Sequence, residues 1–181
     1  MDTKTLCLGV LCRGDATGYD IKKAFEEGPF AHFHVASFGA IYPALSTLSA
    51  EGLVVGTELA QEKRPDKKVY AITAKGREAF FDALITPPGD DKVRSDFFFI
   101  LFFAHLLPAP RLATLIDRRI AWYRDTLARM ESCELAASRP PGESFVHGLG
   151  LAVYQAAADY LESNRDRLLE EVSAGTRLVA E

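Results

Sequence analysis

Six basic residues, Lys63, Arg64, Lys67, Lys68, Lys75 and Arg77, fall within fifteen positions that contain a single acid, Asp66. Ammonium and guanidinium groups at that density suit phosphate oxygens. Four of them flank the turn-forming pair Pro65-Asp66, which places Lys63, Arg64, Lys67 and Lys68 at the tip of a hairpin. Upstream, Ser37 to Ala50 reads as a helix whose polar face carries Gly39, Tyr42, Pro43, Ser46 and Thr47, with Ser37 at its amino end. A helix of this kind fits the major groove of B-DNA and reads base edges with the face opposite its core stripe. Small residues let the backbone come close, hydroxyls bond phosphates or bases, and Tyr42 or Ala40 can touch a thymine methyl. No Arg, Lys, Asn or Gln occurs between Ser37 and Ala50. Bidentate readout of guanine or adenine, worth about 1–3 kcal/mol each, is therefore not available from this helix, and specificity would rest on weaker contacts, groove shape and the hairpin. Taken alone, the same face also fits the exposed side of any surface helix.

Other chemistry is weaker. Phe97, Phe98, Phe99, Phe102 and Phe103, together with Trp122, Tyr123 and Tyr154, form the densest aromatic group. They suit either core and interface packing or a pocket for a flat apolar effector, in which Phe98, Phe102, Trp122, Tyr123 and Tyr154 would be the lining. His32 and His34 stand close but have no Asp, Glu or Cys matched to them, so no metal site is expected. Gly148-Leu149-Gly150 lacks the third glycine of a dinucleotide loop, no GxxxxGK[ST] occurs, and Ser144 sits in no nucleophile elbow. No catalytic constellation assembles and no cofactor is implied, so a non-enzyme is expected. Cys7, Cys12 and Cys133 have no CxxC spacing and read as reduced thiols.

The net charge is −4, with 21 basic and 25 acidic residues, yet it is unevenly spread. Residues 1 to 80 hold 10 of each sign, so residues 81 to 181, with 11 basic and 15 acidic, carry the whole excess. The acidic half would point away from DNA, and the basic run is a local patch in a neutral segment. The start of the chain does not resemble a secretory leader. Its longest apolar run, Phe97 to Leu107, falls short of the roughly 20 residues needed to cross a bilayer. A soluble, cytoplasmic protein is expected.

The elements that must position these groups follow from caps and periodicity. A uniformly apolar helix over Thr3 to Cys12 is expected at the centre of a first core, then a helix over Gly18 to Glu27 opened by a Thr17/Asp20 capping box. The third helix buries Ile41, Leu45 and Leu48 and stops at Gly52. Ser37 is its candidate N-cap, and Pro43 requires a start near Gly39 or a kink. Leu53 to Leu59 and Lys68 to Thr73 read as two strands, and Thr73 caps a fourth helix to about Leu84. Three helices and a hairpin make a winged helix-turn-helix. Thr86-Pro87-Pro88-Gly89-Asp90-Asp91 marks a boundary, giving domains 1–86 and 92–181. Beyond it, helices are expected over Phe97 to Leu107, Pro108 to about Ala136, and Ser144 to Val172. The last of these would carry Leu149, Val153, Ala157, Tyr160, Leu161, Leu168 and Val172 on one apolar side. The fold class is thus mainly α with a small β-hairpin. More apolar face than one chain can bury invites a homodimer, and two DNA units on one frame imply a palindromic operator.

Phe38-Gly39-Ala40-Ile41-Tyr42-Pro43-Ala44-Leu45, with Glu51-Gly52-Leu53, Lys67 to Arg77 and the upstream Gly18-Tyr19-Asp20-Ile21, resembles the recognition helix and wing of PadR-type transcription regulators. The resemblance spans nearly all of residues 4 to 80, and chain length is similar to the longer subgroup. It implies a regulator of transcription, most readily a repressor that excludes polymerase, with C-terminal helices forming the dimer and an aromatic effector releasing double-stranded DNA. The layout is less similar to MarR-like regulators, where helices from both chain ends build the dimer. The alternative of another class is a winged-helix module that binds protein and not DNA.

Overall fold

The computed structural model describes residues 1–32, 38–59, 67–91, 93–132 and 140–179, and divides into two compact units, Met1–Asp91 and Lys92–Glu181. In the first unit, α1 (Thr3–Leu11) starts where the Asp2 carboxylate accepts from the Thr5 amide at 2.9 Å and hydroxyl at 2.8 Å. It buries Cys7, Leu8 and Leu11 in the core shared with Ile21, Ile41 and Leu45. Burial pushes the Cys7 thiol up to about 11.

The Thr17/Asp20 capping box forms as expected at the start of α2 (Gly18–Glu26), with the Thr17 hydroxyl 3.1 Å from the Asp20 amide and the Asp20 carboxylate 2.9 Å from the Thr17 amide. Hydrogen bonds from the Thr17 hydroxyl and amide, with a smaller contribution from Lys67, hold the Asp20 carboxyl below its ordinary value of 3.8. Because the folded-state value is the lower one, the stabilisation is complete above the ordinary value and is lost as pH falls through the folded one. Asp20→Asn should therefore flatten the acid side of a stability profile, read as urea midpoints between about pH 6 and pH 2.

Residues Phe38–Ala40 form a single 3-10 turn, and α3 (Ile41–Ala50) begins after it with Ala40 in the cap position and no side-chain cap. Ser37, the expected cap, lies outside the described residues. Pro43 is the third residue of α3, in the turn whose amides lack intrahelical partners, so of the two expectations the start near Gly39 holds to within two residues and no kink is required. Gly52 closes α3 at φ 71°, with the Leu53 amide donating to Leu48 and the Gly52 amide to Ser49, the Schellman arrangement.

The hairpin is β2 (Val54–Leu59) against β3 (Lys67–Ile72), antiparallel from Val54↔Ile72 to Leu59↔Lys67. A third strand, β1 (Ala16–Thr17), pairs with β3 on its other side, so the sheet has order β1-β3-β2 where a two-stranded hairpin was expected. Two residues carry no alternation, and their strand character comes from the partner. The Thr73 hydroxyl then caps α4 (Ala74–Ile85), accepting from the Gly76 amide at 3.0 Å.

The second unit is helical: α5 (Asp96–Phe102), a 3-10 turn at Ala104–Leu106, α6 (Ala109–Glu131) and α7 (Pro141–Val179). The single helix expected over Phe97 to Leu107 is broken at Phe103, where φ and ψ of −104° and 26° leave the helical region without any proline or glycine to signal it. α7 begins at Pro141, three residues before the expected start at Ser144, as proline can occupy a first turn. On α6, Leu112, Ile116, Tyr123, Leu127 and Met130 are buried as their spacing predicts. The single apolar side expected on α7 is corrected to two. Ala158, Leu161, Leu168 and Val172 turn inward, whereas Leu149, Val153 and Tyr160 are exposed, because α6 covers one face only. Arg124 on α6 grips Asp159 and Glu162 of α7, and Arg165 of α7 grips Asp117 of α6 at 2.6 and 2.9 Å.

Candidate nucleic-acid interface

The stripe Ile41, Ala44, Leu45 and Leu48 is buried, which fixes the rotational phase of α3 and leaves Gly39, Tyr42, Pro43, Ser46 and Thr47 exposed and Ala40 half-buried. The polar face read from the sequence is therefore the solvent face. Its hydroxyls are not equivalent. Thr47 donates to the Pro43 carbonyl at 3.0 Å and keeps only acceptor capacity, while Ser46 has no hydrogen-bond partner among the described residues and can still donate to a phosphate or base.

Tyr42, 61% exposed, is the largest side chain on this face, and its ring lies against Gly18 at the start of α2. Tyr19, next to that contact, is also exposed. Gly18 and Tyr19 were legible only as parts of a family motif, since nothing in their spacing tells which helix they meet.

On the sheet, Lys67 is exposed, with its ammonium 4.0 Å from the Asp20 carboxylate. Lys68 runs its stem across Gly56 and holds its ammonium 5.7 Å from the centre of the Tyr70 ring. Both open β3 at the loop end of the hairpin, where Lys67 pairs with Leu59 and Lys68 with Glu58, and Lys67 reaches the first turn of α2. Lys63 and Arg64, expected at the tip, lie outside the described residues. The basic run does not act as one patch: Lys75 donates to the Glu51 carbonyl at 2.9 Å, tying the start of α4 to the carboxyl end of α3.

Of the aromatic residues singled out, Trp122, Tyr123 and Tyr154 come together with ring centres 5.1 to 5.8 Å apart, and the Arg119 guanidinium lies over Phe97, Trp122 and Tyr123. Burial, with a smaller effect of Tyr123, raises the Tyr154 phenol above its ordinary value. Phe98 and Phe102 are both exposed, Phe98 tilted against Phe97 and Phe102 edge-on to Phe103. Among the described residues no group of three or more His, Cys, Asp or Glu is placed to hold a metal, and no helix is long and apolar enough to cross a membrane.

Residues 7–82 match the model of the transcriptional regulator PadR-like family. The crystal structure of the PadR-like transcriptional regulator BC1756 from Bacillus cereus is 32% identical, covers 93% of this chain and 94% of that one, and has a TM-score of 0.77. Bacillus subtilis PadR in complex with operator DNA is 26% identical over 93% of this chain and 98% of its own, with a TM-score of 0.76. The same protein with p-coumaric acid gives 25% identity over 94% and 98%, and a TM-score of 0.66.

Proposed function

Because the chain belongs to the PadR-like family of transcriptional regulators, we propose that it acts as a repressor, binding a palindromic operator as a homodimer and releasing it on binding an aromatic effector. The observation that carries the DNA-binding part is the exposed α3 face, free of core duties, beside the basic residues of the hairpin. Residues Ser37, Gly39, Ala40, Tyr42, Pro43, Ser46 and Thr47 are the proposed groove contacts. Lys63, Arg64, Lys67 and Lys68 are the proposed phosphate or minor-groove contacts. The operator complex of the Bacillus subtilis relative supports this assignment of partner.

Dimerisation through the second unit is supported by its uncovered apolar side. Phe145, Val146, Leu149, Val153 and Tyr160 on α7 are all at least 44% exposed, and a grouped apolar stripe of this kind marks an interaction site. For the effector we propose the ring cluster of Trp122, Tyr123 and Tyr154, with Phe98 and Phe102 as outer members. Arg119 at its edge suits a carboxylate such as that of p-coumaric acid, which the Bacillus subtilis relative binds. The protein works as a non-catalytic, cytoplasmic regulator. One feature favours a protein-binding module instead: α3 has no Arg, Lys, Asn or Gln to read a base pair bidentately.

Fluorescence anisotropy separates the two. The protein is titrated into a duplex from its own upstream region and into a scrambled duplex of equal length, at two salt concentrations. An operator reader should prefer the first by about a thousandfold or more, with log affinity falling by about 0.9 per phosphate neutralised for each decade of salt. Equal, feeble binding to both duplexes would discard DNA binding and direct the search to protein partners.

A further inference from the structure

Gly18 is buried in the first turn of α2, and none of its neighbours explains a glycine there on backbone grounds. The positive-φ glycines are Gly14 and Gly52, so Gly18 has a conformation open to any residue, and alanine would be the better helix former. What the missing side chain supplies is room. A Cβ at Gly18 would fall 2.6 Å from Cε1, 3.0 Å from Cζ and 3.2 Å from Cδ1 of Tyr42, so its three nearest atoms all belong to one ring. The backbone beneath that ring is held on both sides by the Thr17/Asp20 capping box.

We infer that Gly18 is a specificity-determining positioning residue: it is the seat that fixes the Tyr42 ring, and hence the phenol hydroxyl, at one place on the recognition face. This rests on the proposal that α3 reads DNA. The physical need is plain on a helix without long readers. An exposed tyrosine that samples several rotamers binds no particular base step well, whereas one already held against a rigid turn loses little freedom on binding. Two residues of the motif Gly18-Tyr19-Asp20-Ile21 then have a working part: Asp20 holds the turn and Gly18 holds the ring.

The test is a double-mutant cycle on the full chain with Gly18→Ala, Tyr42→Ala and the pair, measured against the upstream and scrambled duplexes. Gly18→Ala should displace the ring outward, leave the unfolding midpoint unchanged or raised, and lower affinity for the upstream duplex about tenfold. Affinity for the scrambled duplex and the salt slope should hold. Tyr42→Ala should cost at least as much, and the pair no more than Tyr42→Ala alone. If Gly18→Ala does not fold, Tyr42→Ala in the same chain should restore folding, because the clash is with that ring; failure to restore it overturns the seat. A costly Tyr42→Ala with a neutral or additive Gly18→Ala overturns the seat alone. A neutral Tyr42→Ala sinks both the seat and the role of this face in reading DNA.

Discussion

Gly76→Ala is expected to destabilise the first unit by about 3 kcal/mol, at the upper end of what overpacking a native site costs. Gly76 is the third residue of α4, and a Cβ there would overlap the Leu53 carbonyl oxygen and fall 2.8 Å from Cγ1 of Ile72. The carbonyl has nowhere to go. It already accepts from the Thr73 amide at 3.0 Å, and the Thr73 hydroxyl, whose one proton lies between the Gly52 carbonyl at 2.9 Å and the Leu53 carbonyl at 3.1 Å, is in turn the cap of α4. Moving Leu53 would therefore disturb the helix cap, the start of β2 and the exit from α3 together. Alanine gains up to about 1 kcal/mol over glycine in helix propensity, which only partly offsets this. For a unit of this size the loss corresponds to a drop of roughly 15 °C in its melting temperature, read by circular dichroism or calorimetry. Gly148→Ala on α7 is the control, since nothing lies within 4 Å of a Cβ there, and it should be neutral or slightly stabilising.

The second large effect is electrostatic. Replacing Arg64, Lys67 and Lys68 by alanine takes the segment of residues 1 to 80 from balanced charge to three units negative, in a protein whose other half is already acidic. Across a dimer that removes six candidate phosphate contacts. Operator affinity near 100 mM salt should fall about a hundredfold or more, and the salt slope should flatten by up to about 0.9 per lost contact. The loss should be similar on scrambled DNA, leaving the preference for the operator nearly intact. That signature is the reverse of the one expected for Gly18→Ala, where preference falls and slope holds, so the two variants separate phosphate binding from base readout. An unchanged affinity in the triple variant would contradict the assigned role of the hairpin.

Much of the first unit was legible because its signals are chemical and local. The Thr17/Asp20 box, the Thr73 cap and Gly52 each stop or start a helix within one or two residues of the expected place, as hydrogen-bonding caps should. The phase of α3 followed from Ile41, Leu45 and Leu48, which is why its solvent face was read correctly residue by residue. What stayed hidden depends on tertiary partners. β1 is a strand only because β3 lies beside it, and α5 ends at Phe103 without a breaker residue. On α7, apolar residues occur on more than one side, and periodicity cannot tell which side meets α6. Likewise the basic run looked continuous, yet Lys75 is spent on a backbone carbonyl of α3, and the seat of Tyr42 on Gly18 joins residues that spacing alone does not connect.

The buried thiol of Cys7 gives this molecule an internal gauge. Burial pushes its thiol up to about 11, so it stays protonated at neutral pH, and the core packed around it leaves it 1% exposed and out of a reagent's reach. Alkylation of Cys7 thus proceeds only through excursions that open the core. Its rate reports how often the DNA-binding unit breathes, with no label added and no residue of the proposed groove face disturbed.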